Sequence, residues 1–151
     1  MVASTSLLAL FIVWGKHLAR LGGNRAGIVA GCVLCAIGLA CDLTGELVNI
    51  RLTRSGISVA QFASEARLYA LLGAGAANGL YCLGGLVMSA ISWRCRFQRD
   101  WLGLLGFLMW TIGIGLTVAA ALDHPPSMVV TGAGVMITFI PWAALTGWRF
   151  R

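Results

Sequence analysis

Gly31-Cys-Val-Leu-Cys-Ala-Ile-Gly-Leu-Ala-Cys-Asp-Leu-Thr-Gly-Glu-Leu-Val-Asn-Ile50 is the stretch that decides the fold. It is long enough to cross a bilayer, which takes about 20 predominantly apolar residues. It shows no alternation at period two, so it reads as a helix rather than a barrel strand. Within it, Asp42, Glu46 and Asn49 recur at spacings of four and three, which puts their side chains in one column on one helix face. A carboxylate at the centre of a bilayer costs about 2.5–3.5 kcal/mol on insertion scales. Such a group marks either a functional site or an ion-paired network near the headgroups, and Arg51, Arg54 and Arg67 are near in sequence.

The rest of the chain agrees with a membrane-embedded helix. Of its 151 residues, 59% are hydrophobic and 11% charged, with mean hydropathy +0.87. Soluble domains carry about 25% charged residues. The net charge of +6 would suggest nucleic acid in a soluble protein, but here the cations flank apolar runs. They read as topology signals and headgroup contacts, and nucleic acid is excluded as a partner. Five cysteines are present, and Cys32-x-x-Cys35 has metal or redox spacing. With no second pair and no neighbouring histidine, both read as small packing residues.

Five apolar segments follow, at about 2–20, 26–50, 67–93, 101–122 and 128–148. The expected fold is all-α: one polytopic membrane domain over 1–151, a compact bundle of five transmembrane helices. With the N-terminus outside, Lys16, Arg20, Arg25, Arg94, Arg96, Arg99, Arg149 and Arg151 fall inside and only Arg51, Arg54 and Arg67 outside. The positive-inside rule therefore gives N-out and C-in, in a bacterial inner (plasma) membrane. Trp14, Trp93, Trp101, Trp142 and Trp148 gather toward the inner side, as an interfacial belt does. The first helix is short and its end is marked by Lys16 and His17. Pro125-Pro126 reads as a block to helix continuation. Ser58-x-x-Gln61 matches a capping box, so a helix is expected to start on the outer surface there.

Small residues extend the acidic column inward through Gly38, Cys35 and Gly31, the kind of face on which membrane helices approach closely. Gly75, Asn78, Cys82, Gly85 and Ser89 on the third span form the expected partner face. Asn78, at mid-membrane depth, needs a hydrogen-bond partner, and Tyr81 lies one turn further along. The candidate ligand-binding set is Asp42, Glu46, Asn49, Glu65, Asn78 and Tyr81. Asp42 and Glu46 are also the candidate acid and base. Asp123 and His124 are weak metal candidates, with an exposed polar turn as the simpler reading. Two histidines on opposite sides of the bundle argue against paired axial ligation of a haem, and no motif identifies another cofactor.

Three functions fit. The first is an outward-facing acidic pocket that binds or moves a cation or a small basic or amphiphilic ligand. The second is a membrane-embedded enzyme using paired carboxylates on a lipid or isoprenoid-like substrate. The third is an accessory subunit of a larger membrane complex. The lipid bilayer is the common partner, and short loops with glycine-rich faces suit a homo-oligomer or partner membrane subunits. The five-helix, N-out arrangement is similar in outline to the tryptophan-rich sensory protein family. That likeness is one of topology; a Trp-Asn-Pro-Pro-x-Trp-type motif is absent, and no function is carried over from it.

Overall fold

A computed structural model describes residues 2–54 and 59–150. Its elements are α1 (Val2–Arg20), α2 (Arg25–Arg54), α3 (Val59–Ala70), a π-helical segment (Leu71–Ala77), α4 (Asn78–Arg94), α5 (Trp101–Ala121) and α6 (Pro125–Arg149). Among the described residues there is no strand. Because α3, the π-helical segment and α4 follow one another without a break, the helices form five rods. Four stretches are long and apolar enough to cross a membrane: Arg25–Arg51, Gln61–Arg94, Trp101–Ala121 and Pro125–Arg149. α1 is not among them within the described residues. These lengths, with exposed aliphatic side chains such as Val29, Leu104, Val130 and Ile137, support an integral membrane protein.

Neighbours in the bundle run α1, α2, α4, α5, α6, with α4 in the middle. Glycines set the close approaches. A side chain at Gly31 would meet Met88 and the Gly84 carbonyl, and one at Gly38 would meet the Tyr81 ring at 2.8 Å. The small face of α2 thus receives α4, as membrane helices pack where backbones can approach. Gly75, Asn78, Cys82 and Gly85 do not meet α2 as expected from sequence. Gly85 sits under the Trp110 indole, Cys82 against Gly113, and Asn78 bonds to Gly113, so this face meets α5. Successive residues on a helix point 100° apart, and α4, placed between two partners, uses two faces.

α1 closes back over the core through aromatic rings. Phe11 lies edge-on to Trp14 and Trp110, and Trp142 lies edge-on to Trp14 and Trp110. Trp14 and Trp142 are 0% exposed, so these two belong to the core rather than to an interfacial belt. Gly106 makes this possible by leaving room for the Trp142 ring edge. Trp101 and Trp148 remain exposed, where an amphipathic ring suits an interface.

The helix ends explain the turns. α1, α4 and α5 each close with an amide reaching five residues back: Gly23 to Leu18, Phe97 to Ser92 and His124 to Ala119, at 2.9–3.0 Å. The residue before each donor is left-handed, namely Gly22 (φ 79), Arg96 (φ 59) and Asp123 (φ 53). α6 begins at Pro125, three residues before the expected start. Pro125 and Pro126 open the helix, because first-turn residues need no intrahelical N–H partner. α2 runs on to Arg54, and α3 starts at Val59, where a helix was expected to begin. The expected cap at Ser58 lies outside the described residues, as do the side chains of Arg54 and Arg151.

At the end of the bundle holding the α1, α4 and α6 C-termini, Ser92, Gln98 and Thr146 form a buried chain of hydrogen bonds, 3.2 and 2.8 Å long. Arg149 joins Asp100, which also caps α5 by accepting from Leu102 and Gly103. His17 packs against the rings of Phe97 and Phe150.

Candidate functional site: an apolar cavity beside the π-helical segment

The last five residues of the π-helical segment Leu-Leu-Gly-Ala-Gly-Ala-Ala have little side chain to hold a register. A π-helix closes each hydrogen-bonded ring with one residue more than an α-helix, and such segments recur at functional sites. Here α5 supplies its support. Asn78 Nδ2 donates to the Gly113 carbonyl at 2.6 Å and to Thr117 Oγ1 at 3.0 Å. Thr117 Oγ1 lies 3.3 Å from the Gly75 carbonyl. The Cys82 thiol donates to Asn78 Oδ1 at 3.8 Å. Both donors of the Asn78 amide are therefore engaged in joining α4 to α5, while its oxygen accepts within α4.

Beside this network is a cavity of about 300 Å³. Gly73, Ala74, Asn78, Tyr81 and Cys82 form one wall, Met109, Trp110 and Leu116 a second, and Val135, Met136 and Phe139 of α6 a third. Leu7 of α1 completes it. α1 and α6 also meet where Trp14 packs on Trp142, beyond Leu7 and Phe139 along their helices, so the aromatic cluster lies at one end of the space. The lining is almost wholly apolar, and its volume is at the lower end of small-molecule pockets.

The sequence candidates are placed as follows. Tyr81 lines the cavity while its ring edge rests on Gly38. Asn78 lines it with its amide already engaged. Asp42 is half-buried on α2, and its Oδ1 would lie 3.9 Å from a side chain begun at Gly73, itself a wall residue. Like Asp42, the half-buried Glu46, Asn49 and Glu65 do not themselves line the cavity. Among the described residues, no ion pair joins Glu46 or Glu65 to Arg67. Arg67 instead pairs with Asp123 at 3.6 Å on the exposed surface. The His124 ring accepts from the Ser127 amide and contacts the Ser127 hydroxyl at 2.8 Å, capping α6. No group of three metal-ligating side chains occurs among the described residues.

Sequence reasoning did not find Gly73, Ala74, Met109, Trp110, Val135 and Phe139 as cavity residues, nor Thr117 as a bridging group. The one signal was Gly73-Ala-Gly75-Ala-Ala, a run of small residues ending at a polar Asn in mid-span. Comparison with family models, curated proteins and solved structures yields no match to this chain.

Proposed function

We propose that this is a plasma-membrane protein, of the bacterial inner-membrane type, that binds a small basic amphiphile. The ligand's apolar body occupies the cavity between α1, the π-helical segment, α5 and α6, and its cationic end is held by Asp42. The N-terminus faces outside and the C-terminus inside, on the strength of the Arg and Lys bias.

The observation that carries this reading is the position of Asp42 beside Gly73, a residue of the wall of a half-open apolar cavity. An apolar pocket with a few polar groups at one edge is the general form of a small-molecule site. A carboxylate just behind that wall favours a cation through a charge-assisted hydrogen bond, about twice as strong as a neutral one. The absence of a side chain at Gly73 leaves the shortest barrier a residue can offer between the carboxylate and the cavity. Tyr81 supplies a second polar group on the same wall.

Binding is preferred to paired-carboxylate catalysis because neither carboxylate lines the cavity, and only Asp42 stands beside a wall residue. A general acid and base must both reach the reacting atoms.

The test is saturable labelling in lipid nanodiscs by a diazirine-bearing decylamine. Mapping of the label to Tyr81, Met109 or Phe139, with loss of labelling in Val135→Trp, supports the reading. Labelling confined to exposed lipid-facing residues such as Val130 and Ile137 overturns it.

A further inference from the structure

We infer that Thr117 is a positioning residue for this site. Its hydroxyl holds the π register of Leu71–Ala77, and that register presents Gly73, rather than Ala74, to Asp42. The inference rests on the cavity being a ligand site, although its structural half stands without that reading.

Counting protons gives the role of the hydroxyl. Asn78 Nδ2 has two protons, engaged by the Gly113 carbonyl and by Thr117 Oγ1. Thr117 has one, and two carbonyls lie 3.3 Å from it, those of Gly113 and Gly75. Gly113 already accepts the shorter 2.6 Å bond from Asn78. A Thr117 proton on Gly75 reaches inside the π-helical segment, onto a carbonyl that also accepts from the Asn78 backbone N–H. That N–H is shared with the Gly73 carbonyl, so Thr117 gives Gly75 a second donor, from the neighbouring helix. Its methyl has a separate task, lying 3.1 Å from where a side chain on Gly79 would begin.

The consequence for the cavity is geometric. With α4 anchored to α5 by Asn78, conversion of the π-helical segment to α removes one residue from the turn. Everything before it, including α3, then rotates by about 100° relative to α4. Ala74 takes the place that Gly73 holds, and its methyl stands between Asp42 and the cavity. Arg67 on α3 is carried away from Asp123, the pair that ties α3 to the start of α6.

Two substitutions separate the two halves of the side chain. Thr117→Val keeps the methyl and removes the hydroxyl; Thr117→Ser does the reverse. Nitroxide labels on Leu68→Cys and Leu122→Cys, with the native cysteines replaced by alanine, report the rotation of α3 against the end of α5. Both positions are exposed. The expected result is a distance change of several Å in Thr117→Val, with the wild-type distance kept in Thr117→Ser. Saturable decylamine labelling should fall about tenfold in Thr117→Val and be retained in Thr117→Ser, the size expected for loss of one charge-assisted contact.

A wild-type distance in Thr117→Val, or a shift in Thr117→Ser alone, overturns the inference. A distance shift in Thr117→Val while the wild-type protein shows no saturable amine labelling leaves the register role standing and removes the ligand reading. Deletion of Ala76 serves if Thr117→Val does not fold. It removes the extra residue, so on that background Thr117→Val should fold and leave the label distance unchanged. A shift there also overturns the inference.

Discussion

Asn78 and Gly113 are joined across α4 and α5 by a 2.6 Å hydrogen bond from the side-chain amide to the backbone carbonyl. A mid-span asparagine that engages its whole amide in this way holds two helices in one register. The π-helical segment ends at the same residue, where the Asn78 backbone N–H closes back onto the Gly73 and Gly75 carbonyls. The same residue shapes the cavity wall and secures the helix pair behind it.

Asn78→Leu should therefore lower bundle stability by about 1–2 kcal/mol, the upper range for a hydrogen bond between membrane helices. Reversible unfolding in bicelles by steric trapping measures this. An unchanged unfolding free energy would mean that the Asn78–Gly113–Thr117 network contributes only specificity.

The glycines divide into two groups with opposite expected outcomes. A methyl at Gly85 would overlap the Trp110 indole, and one at Gly113 would overlap the Cys82 sulfur. Each substitution to alanine should cost about 1–3 kcal/mol by overpacking. Gly132 and Gly147 on α6 have no neighbour within 4 Å of an added methyl. Alanine there should be neutral, or stabilising by up to about 1 kcal/mol through helix propensity. Thermal unfolding of the four single variants in one detergent gives the comparison.

Asp100 makes the clasp beside Gln98 and Thr146 acid-sensitive. Burial pushes its carboxyl upward, but the Arg149 guanidinium and the Gly103 and Leu102 amides together outweigh that and leave it below the ordinary value of 3.8. A depressed folded-state pKa contributes stability that is fully present above the unfolded value and is lost as pH falls through the folded one. The contribution should hold from neutral pH to about 4 and decline below it. Because the pair is partly exposed, the effect is small and falls further in high salt. Asp100→Asn should remove the decline, read as the pH dependence of the melting temperature at low and high ionic strength.

How far the sequence led can be judged from individual residues. The five rods were legible because hydropathy and length dominate helix placement in a bilayer, and the ends of α1, α4 and α5 fell within a residue or two of expectation. Pro125-Pro126 was read only as a block to helix continuation; α5 does end before it, but the same ring also favours a first turn, and α6 begins there. Trp14 and Trp142 were placed at the interface because belt statistics cannot see that Gly106 opens a slot for one ring. Asn78 was rightly expected to need a partner. Sequence does not say which of two neighbouring helices supplies it, and α5 does so rather than α2. The cavity was illegible because its walls are ordinary apolar residues from four segments. Only their juxtaposition, with a π turn in one of them, makes a space.

Asp42 is where the account is most exposed to test. The most direct measurement is half-saturation of labelling by diazirine-bearing decylamine in nanodiscs, wild type against Asp42→Asn, with the matching decanol probe as neutral control. The account predicts that Asp42→Asn raises the half-saturating concentration of the amine about tenfold, the loss of roughly one charge-assisted contact. It predicts no change for the alcohol, and labelling of cavity residues by both. Equal saturation of wild type and Asp42→Asn by the amine would contradict it.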